Sequence, residues 1–465
     1  MKAAGKVFLL STALLGLSNP AFANVIWAGG PGNWIDPSAW VGGVVPISTD
    51  HAVINTGEAI LSGSVTLDGL TLGDGIIKGT GSITTNTLNW TKGNINFASG
   101  APGVGIITVN GDAVLGAFGT TVSVVDYEGP YWDCVGCSTS RIILNGNTTL
   151  KGQLIASTGD IVNNGTLTLK EGSTTHTPYL MRYWSPLINN GTIIGDAGAG
   201  KVAGLLNHDL NSSRLEVATG TLEIYNIGFQ TRNSSTGVIQ VNSGATLSVV
   251  GDWGQEFFND GGQLVIESGA KLQSGSFVQN SGSTTIKNAA LETTDDPGIA
   301  INGGNFTASG QLKGGVYVNG GNFSLGDTPA ALTIQGDLLL GADSNFLINI
   351  GGTDQGLNYD WVQATGNIHA NGSLDVDFSF DPVNGNTFTL FSGSILADQN
   401  SEYGAGYSFS QVNVNGLDLS KYSYQLNYAA TSISLIVQAV PEPSTSAMLG
   451  LGMGLLAFVA RRKRS

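Results

Sequence analysis

NDGGQLVIESGAKLQ, residues 259–273, is the stretch that decides the fold. A polar turn opens it. Leu264-Val265-Ile266 then alternates as a short strand, Gly269 marks a second turn, and another strand begins at Lys271. The same order recurs in NNGTLTLKEGS from Asn163 and in NSSRLEVATGTLEI from Asn211, with second turns at Gly172 and Gly220. Aligning Asn164, Asn190, Asn211, Asn233, Asn259, Asn280 and Asn302 gives spacings of 26, 21, 22, 26, 21 and 22 residues. Asn319 follows Asn302 by only 17, so the phase slips near residue 320.

A period of this length, filled by two or three short strands, predicts a parallel β-solenoid (β-helix). Each coil then pairs in parallel with the coils above and below, and Leu264 and Ile266 point inward into apolar columns. One coil cannot bury its inner face alone, so stability comes from stacking. Asparagine at corners tolerates left-handed backbone and can ladder its amide with the next coil. With about 12 coils between residues 50 and 330, the stack would be on the order of 55 Å long. An antiparallel sandwich is the competing reading, since Asn-Gly turns also build hairpins.

Composition agrees with an all-β chain. Glycine supplies 68 of 465 residues, twice the usual share of about 7%. Only 11% of residues are charged, against a usual share of about 25%. The hydrophobic fraction of 41% argues against disorder. Val, Ile and Thr favour strands, whereas Gly and Asn favour turns.

Both ends differ from the middle. Lys2 and Lys6 precede the apolar run Val7 to Leu17, and Ala21-Phe22-Ala23 supplies a small-x-small site for signal peptidase; residues 1–23 therefore form a signal helix that is removed. At the other end, PEPSTSAMLGLGMGLLAFVARRKRS runs from Pro441 to Ser465. Pro441, Glu442 and Pro443 keep the backbone extended and accessible. Ala447 to Ala460 is an uncharged run of 14 residues, a short transmembrane helix that would anchor the chain transiently. Arg461, Arg462, Lys463 and Arg464 form a basic stop retained on the cytoplasmic side. The trimmed ends carry six of the 19 basic residues, which leaves 13 against 34 acidic ones and a net charge of −21. So acidic a surface repels nucleic acid.

The three-part tail resembles the PEP-CTERM sorting signal of Gram-negative bacteria. That resemblance implies processing by an exosortase-type enzyme, export to the cell surface or outside it, and a setting of exopolysaccharide production. The body resembles autotransporter-like passenger repeats. The resemblance covers the tryptophan- and glycine-rich start at residues 24–56, the repeats at 57–326 and a closing β region at 327–440. In that last region a Tyr359-Asp360-Trp361 segment precedes Gly385, Phe388 and Phe391. Trp27, Trp34 and Trp40 would close the open end of the first coil, with a sugar-binding patch as the alternative.

Candidate chemistry is sparse. Cys134 and Cys137 are the only cysteines, and an exported chain suits a local disulfide between them. Asp295 and Asp296 form one acidic pair. Asp375 and Asp377 share a strand face, with Asp381 beyond. Such carboxylates could bind calcium, act in glycoside hydrolysis or serve as a solvated face. His51, His176, His208 and His369 show no metal-ligand spacing. In the loop at 176–186, Tyr179, Tyr183 and Trp184 surround Arg182 and could stack on sugar rings or cover the side of the stack. No cofactor and no catalytic motif is expected. The chain therefore reads as a structural or adhesive surface protein. A polysaccharide lyase or hydrolase on the same scaffold, or a self-assembling layer protein, are the alternatives.

Overall fold

The computed structural model describes residues 23–97, 105–117, 119–125, 141–156, 160–176, 187–206, 213–227, 231–234, 236–253, 255–395, 408–440 and 445–462. The protein is nearly all β, with one α-helix, Thr445–Arg462, among the described residues. One inward-facing position can be followed from rung to rung through parallel pairs. It runs Val25, Ala52, Leu70, Leu88, Ala113, Thr148, Leu167, Ile193 and Leu215. It continues through Ile239, Leu264, Thr284, Phe306, Phe323, Phe346, Leu374 and Val412. At an inter-strand spacing of about 4.8 Å, these seventeen stacked positions span roughly 77 Å. A second column, Leu222, Leu247, Leu272, Leu291, Leu312 and Ile334, is fully buried beside it. Each such leucine contributes about 2 kcal/mol through burial. The hairpin alternative fails, because the described strand pairs between residues 160 and 300 are parallel.

Chain length varies between rungs, and the excess leaves the ladder undisturbed. Ala113 pairs directly with Thr148, so 35 residues separate these rung partners where 18 separate Leu70 from Leu88. The ladder also runs on past residue 326: Val316 pairs with Leu338, and Asn345 with Ser373. The phase slip expected near residue 320 is absent, because Asn319 Nδ2 donates to Asn302 Oδ1 at 2.8 Å. That coil is simply shorter.

The single asparagine column expected from the spacing is in fact two. An inner column places Asn163, Asn189, Asn233, Asn259 and Gln279 inside the corner, all buried. Asn163 Nδ2 donates to Asn189 Oδ1 at 2.7 Å, and Asn233 Nδ2 to Asn259 Oδ1 at 3.3 Å. Each of these asparagines also caps a carbonyl of the following coil: Thr192, Arg214, Gln263 and Ser283 respectively. An outer column faces solvent one residue further on. There Asn145, Asn164 and Asn190 are linked by side-chain hydrogen bonds of 2.8 and 2.9 Å, and Asp260, Asn280, Asn302 and Asn319 by hydrogen bonds of 2.7, 2.8 and 2.8 Å. Strand alternation separates the two, since neighbouring residues face opposite sides. Asn211 lies outside the described residues.

Glycine follows the outer asparagine for a steric reason. A Cβ at Gly191 would sit 2.1 Å from the carbonyl oxygen of Gly165, and one at Gly165 equally close to that of Gly146. Stacked corners leave no room for a side chain.

The first coil is closed by Trp27, Trp34 and Trp40, which are buried and meet edge to face at 4.9 and 5.0 Å. Burial removes the sugar-stacking alternative for these indoles. At the far end the ladder turns antiparallel, as strand Ser432–Ala439 pairs between Thr387–Ile395 and Tyr422–Ala429.

Replacing Gly191 with alanine should lower stability by about 1–3 kcal/mol through overpacking. Gly30→Ala, with nothing within 4 Å of the added Cβ, should be close to neutral. Guanidinium denaturation of both variants checks this, and equal midpoints would contradict the stacked-corner geometry.

Candidate functional site

The chain is held to the fold up to its last strand. Ala439 N donates to Asn384 Oδ1, and Val440 N to the carbonyl of Lys421, both at 2.8 Å. Pro441, Glu442 and Pro443 follow at once but lie outside the described residues. Helix Thr445–Arg462 then begins. Leu451, Met453, Leu455, Leu456 and Val459 on it are 51–71% exposed, so these apolar side chains are not packed into the fold.

Residues 439–464 match the PEP-CTERM protein-sorting motif. The match supports an exported protein that an exosortase-type system processes and sorts to the cell surface. No curated protein matches the chain.

The expected transmembrane helix needs correction. The helix extends beyond the apolar run to take in Thr445, Ser446, Arg461 and Arg462. Among the described residues no helix is long and apolar enough to cross a membrane. Two arginines and three glycines dilute its apolar character. Arg462 is exposed, while Lys463 and Arg464 lie outside the described residues. At the other terminus Ala21 lies outside them too. Ala23 is exposed, and its carbonyl accepts from His51 N at 3.0 Å.

Among the described residues the remaining candidates do not converge. Cys134, Cys137, His208, Tyr179, Arg182, Tyr183 and Trp184 lie outside the described residues. Asp295 and Asp296 are exposed at a turn, where Asp295 Oδ1 accepts from Thr294 Oγ1 at 3.0 Å. Asp375 and Asp377 do share a face, yet their carboxylates serve the rung ladder. Asp375 accepts from Asn345 and Asn413 at 3.0 and 2.7 Å, and Asp377 from Asn415 at 2.8 Å. His51 shares a 2.8 Å hydrogen bond with Thr71 Oγ1, and burial holds its pKa below the ordinary value despite nearby Asp68. Among the described residues no three His, Cys, Asp or Glu side chains gather as metal ligands.

Sequence reasoning named Asp360 only within the Tyr359–Trp361 segment and missed that it is the one fully buried carboxyl among the described residues of the closing region. Ala330 N and Asn349 N each donate to it at 2.7 Å, and Asn349 Nδ2 at 3.1 Å. It ties the residue before strand Ala331–Gln335 to the end of strand Leu338–Ile350, while its neighbour Trp361 donates to Ser392 Oγ at 2.9 Å. Burial pushes its pKa up to about 6, outweighing the three N–H donors that pull it down. The sequence signal is an acid between two aromatics without a cation nearby.

Because the folded state binds this proton more tightly than the unfolded chain, Asp360 should lower stability as pH rises from about 4 to about 6. Its effect should be flat above that. The change amounts to roughly 3 kcal/mol. Subtracting the pH profile of Asp360→Asn from that of the wild type in guanidinium melts isolates this slope. A difference that is flat or of opposite sign would refute the assignment.

Proposed function

We propose that the protein is a non-catalytic β-solenoid rod that is exported, sorted by an exosortase-type enzyme and displayed in the extracellular matrix or at the cell surface. There it serves as a structural or adhesive element alongside exopolysaccharide. The observation that carries this reading is the unbroken inward column from Val25 to Val412, with the sorting tail joined directly to the last closing strand, Ser432–Ala439. A stack of this kind gives length and a repeating lateral surface at low sequence cost. Its polar side chains are spent on holding rungs together: the amide columns and the Asp375 and Asp377 bonds run along the stack. Carboxylates engaged in this way suit a structural role better than acid–base work.

Sorting is testable on the whole chain. Replacing Pro441, Glu442 and Pro443 with alanine should leave the full-length protein in the cell-envelope fraction and abolish surface labelling in intact cells. Surface labelling and C-terminal trimming that match the wild type would rule out the sorting role. Loss of the protein should reduce retention of cells in the matrix without any change in the molecular weight of the polysaccharide. A change in polymer length would favour a catalytic role.

A further inference from the structure

Two outward-facing features of one corner form a track. The half-buried Phe258, Val278, Tyr317 and Leu339, with the buried Ala300 among them, stack in register as consecutive rung partners. Two residues on in the same coils stand Asp260, Asn280, Asn302 and Asn319 of the outer amide column. Residues i and i+2 of a strand share a face about 6.6 Å apart, so an apolar lane and an amide lane run side by side along the rod. The pattern repeats upstream, where Ile143 and Val162 stack beside Asn145 and Asn164.

Each side-chain amide carries two N–H donors and an oxygen with two lone pairs. The ladder uses one N–H and one lone pair per rung, which leaves one of each free at every step. Charge on the track cancels locally: Asp260 is paired with Arg232, whose guanidinium also lies 4.4 Å from the Phe258 ring centre. On a chain of net charge −15, this strip is electrically neutral.

We infer that this track is a binding site for a neutral polysaccharide lying along the rod, its carbon–hydrogen faces on the Phe258–Leu339 lane and its hydroxyls on the Asn280–Asn319 lane. Sugars present such paired apolar faces and hydroxyl edges, and amides exchange hydrogen bonds with hydroxyls without demanding a counter-charge. An acidic polymer would meet the field of the whole protein, which is repulsive. The inference rests on the adhesive reading and supplies its ligand class and site.

The test uses the exported, processed protein in pull-down on microcrystalline cellulose, with soluble polygalacturonate as the acidic probe. Wild type should be retained on cellulose and ignore polygalacturonate. Val278→Ser with Leu339→Ser, and separately Tyr317→Ala, should weaken retention about tenfold. Thr285→Ala, on another face, should bind as wild type, and far-UV circular dichroism should be unchanged throughout. Undiminished retention in the track variants would overturn the site, and preference for polygalacturonate would overturn the ligand class, each leaving the adhesive role intact. A wild-type sedimentation pattern showing self-association that the track variants abolish, with no cellulose retention, would assign the face to a second copy instead. No retention on either polymer by monomeric protein would overturn both the site and the adhesive reading.

Discussion

Rung-to-rung hydrogen bonding is the constraint from which the rest follows. In a parallel stack every strand finds its backbone partners in the coils on either side, never within its own coil. Register is then inherited: once Leu264 sits on Ile239, the inward set of the whole coil is fixed. A one-residue slip would turn each leucine outward and each polar neighbour inward. Variation is therefore confined to places outside the ladder. The insertion between Ala113 and Thr148 adds chain without moving the paired residues, while Gly165 and Gly191 remain without side chains because a carbonyl occupies that space.

Much of this was legible in the residues. Leu264-Val265-Ile266 alternates as a half-buried strand must, and the expected second turns at Gly172, Gly220 and Gly269 all adopt positive φ. Asparagine spacing found the corner but merged two columns. Asn259 and Asn280 look equivalent in a list of turn residues, yet the rung partner of Asn259 is Gln279. Residue type alone does not separate an amide that faces the core from one that faces water a position later. The buried column also depends on partners a coil away, such as Ser283 O for Asn259, which no local pattern reveals. The setting of Asp360 between two aromatics was visible, but its donors were not, because they come from Ala330 and Asn349.

Aromatic residues follow the stack as well. Phe257, Phe277, Phe306, Phe323, Phe346, Phe391 and Phe409 form a chain of ring contacts between 4.8 and 6.2 Å, running into the region where pairing turns antiparallel. Large rings fill the wider interior that short apolar residues would leave loose. The closing strands then cover the last rungs, so an open core is not presented beside the sorting tail.

Stacking also accounts for the low charge content. Two like charges one rung apart, at about 4.8 Å, repel by nearly 1 kcal/mol even in water, and the penalty recurs at every rung of a column. Amides and hydroxyls stack without that repulsion. At several neighbouring-rung positions opposite signs meet: Lys78 with Glu58, Lys92 with Asp74, Lys271 with Glu292 and Lys287 with Glu267, all at 2.8–2.9 Å. Each pair is at least partly solvated and worth little in stability. Its larger effect is to let a charge enter a column at all. A chain built this way becomes rich in Asn, Ser, Thr and Gly, because repetition in space selects side chains that tolerate their own kind as neighbours.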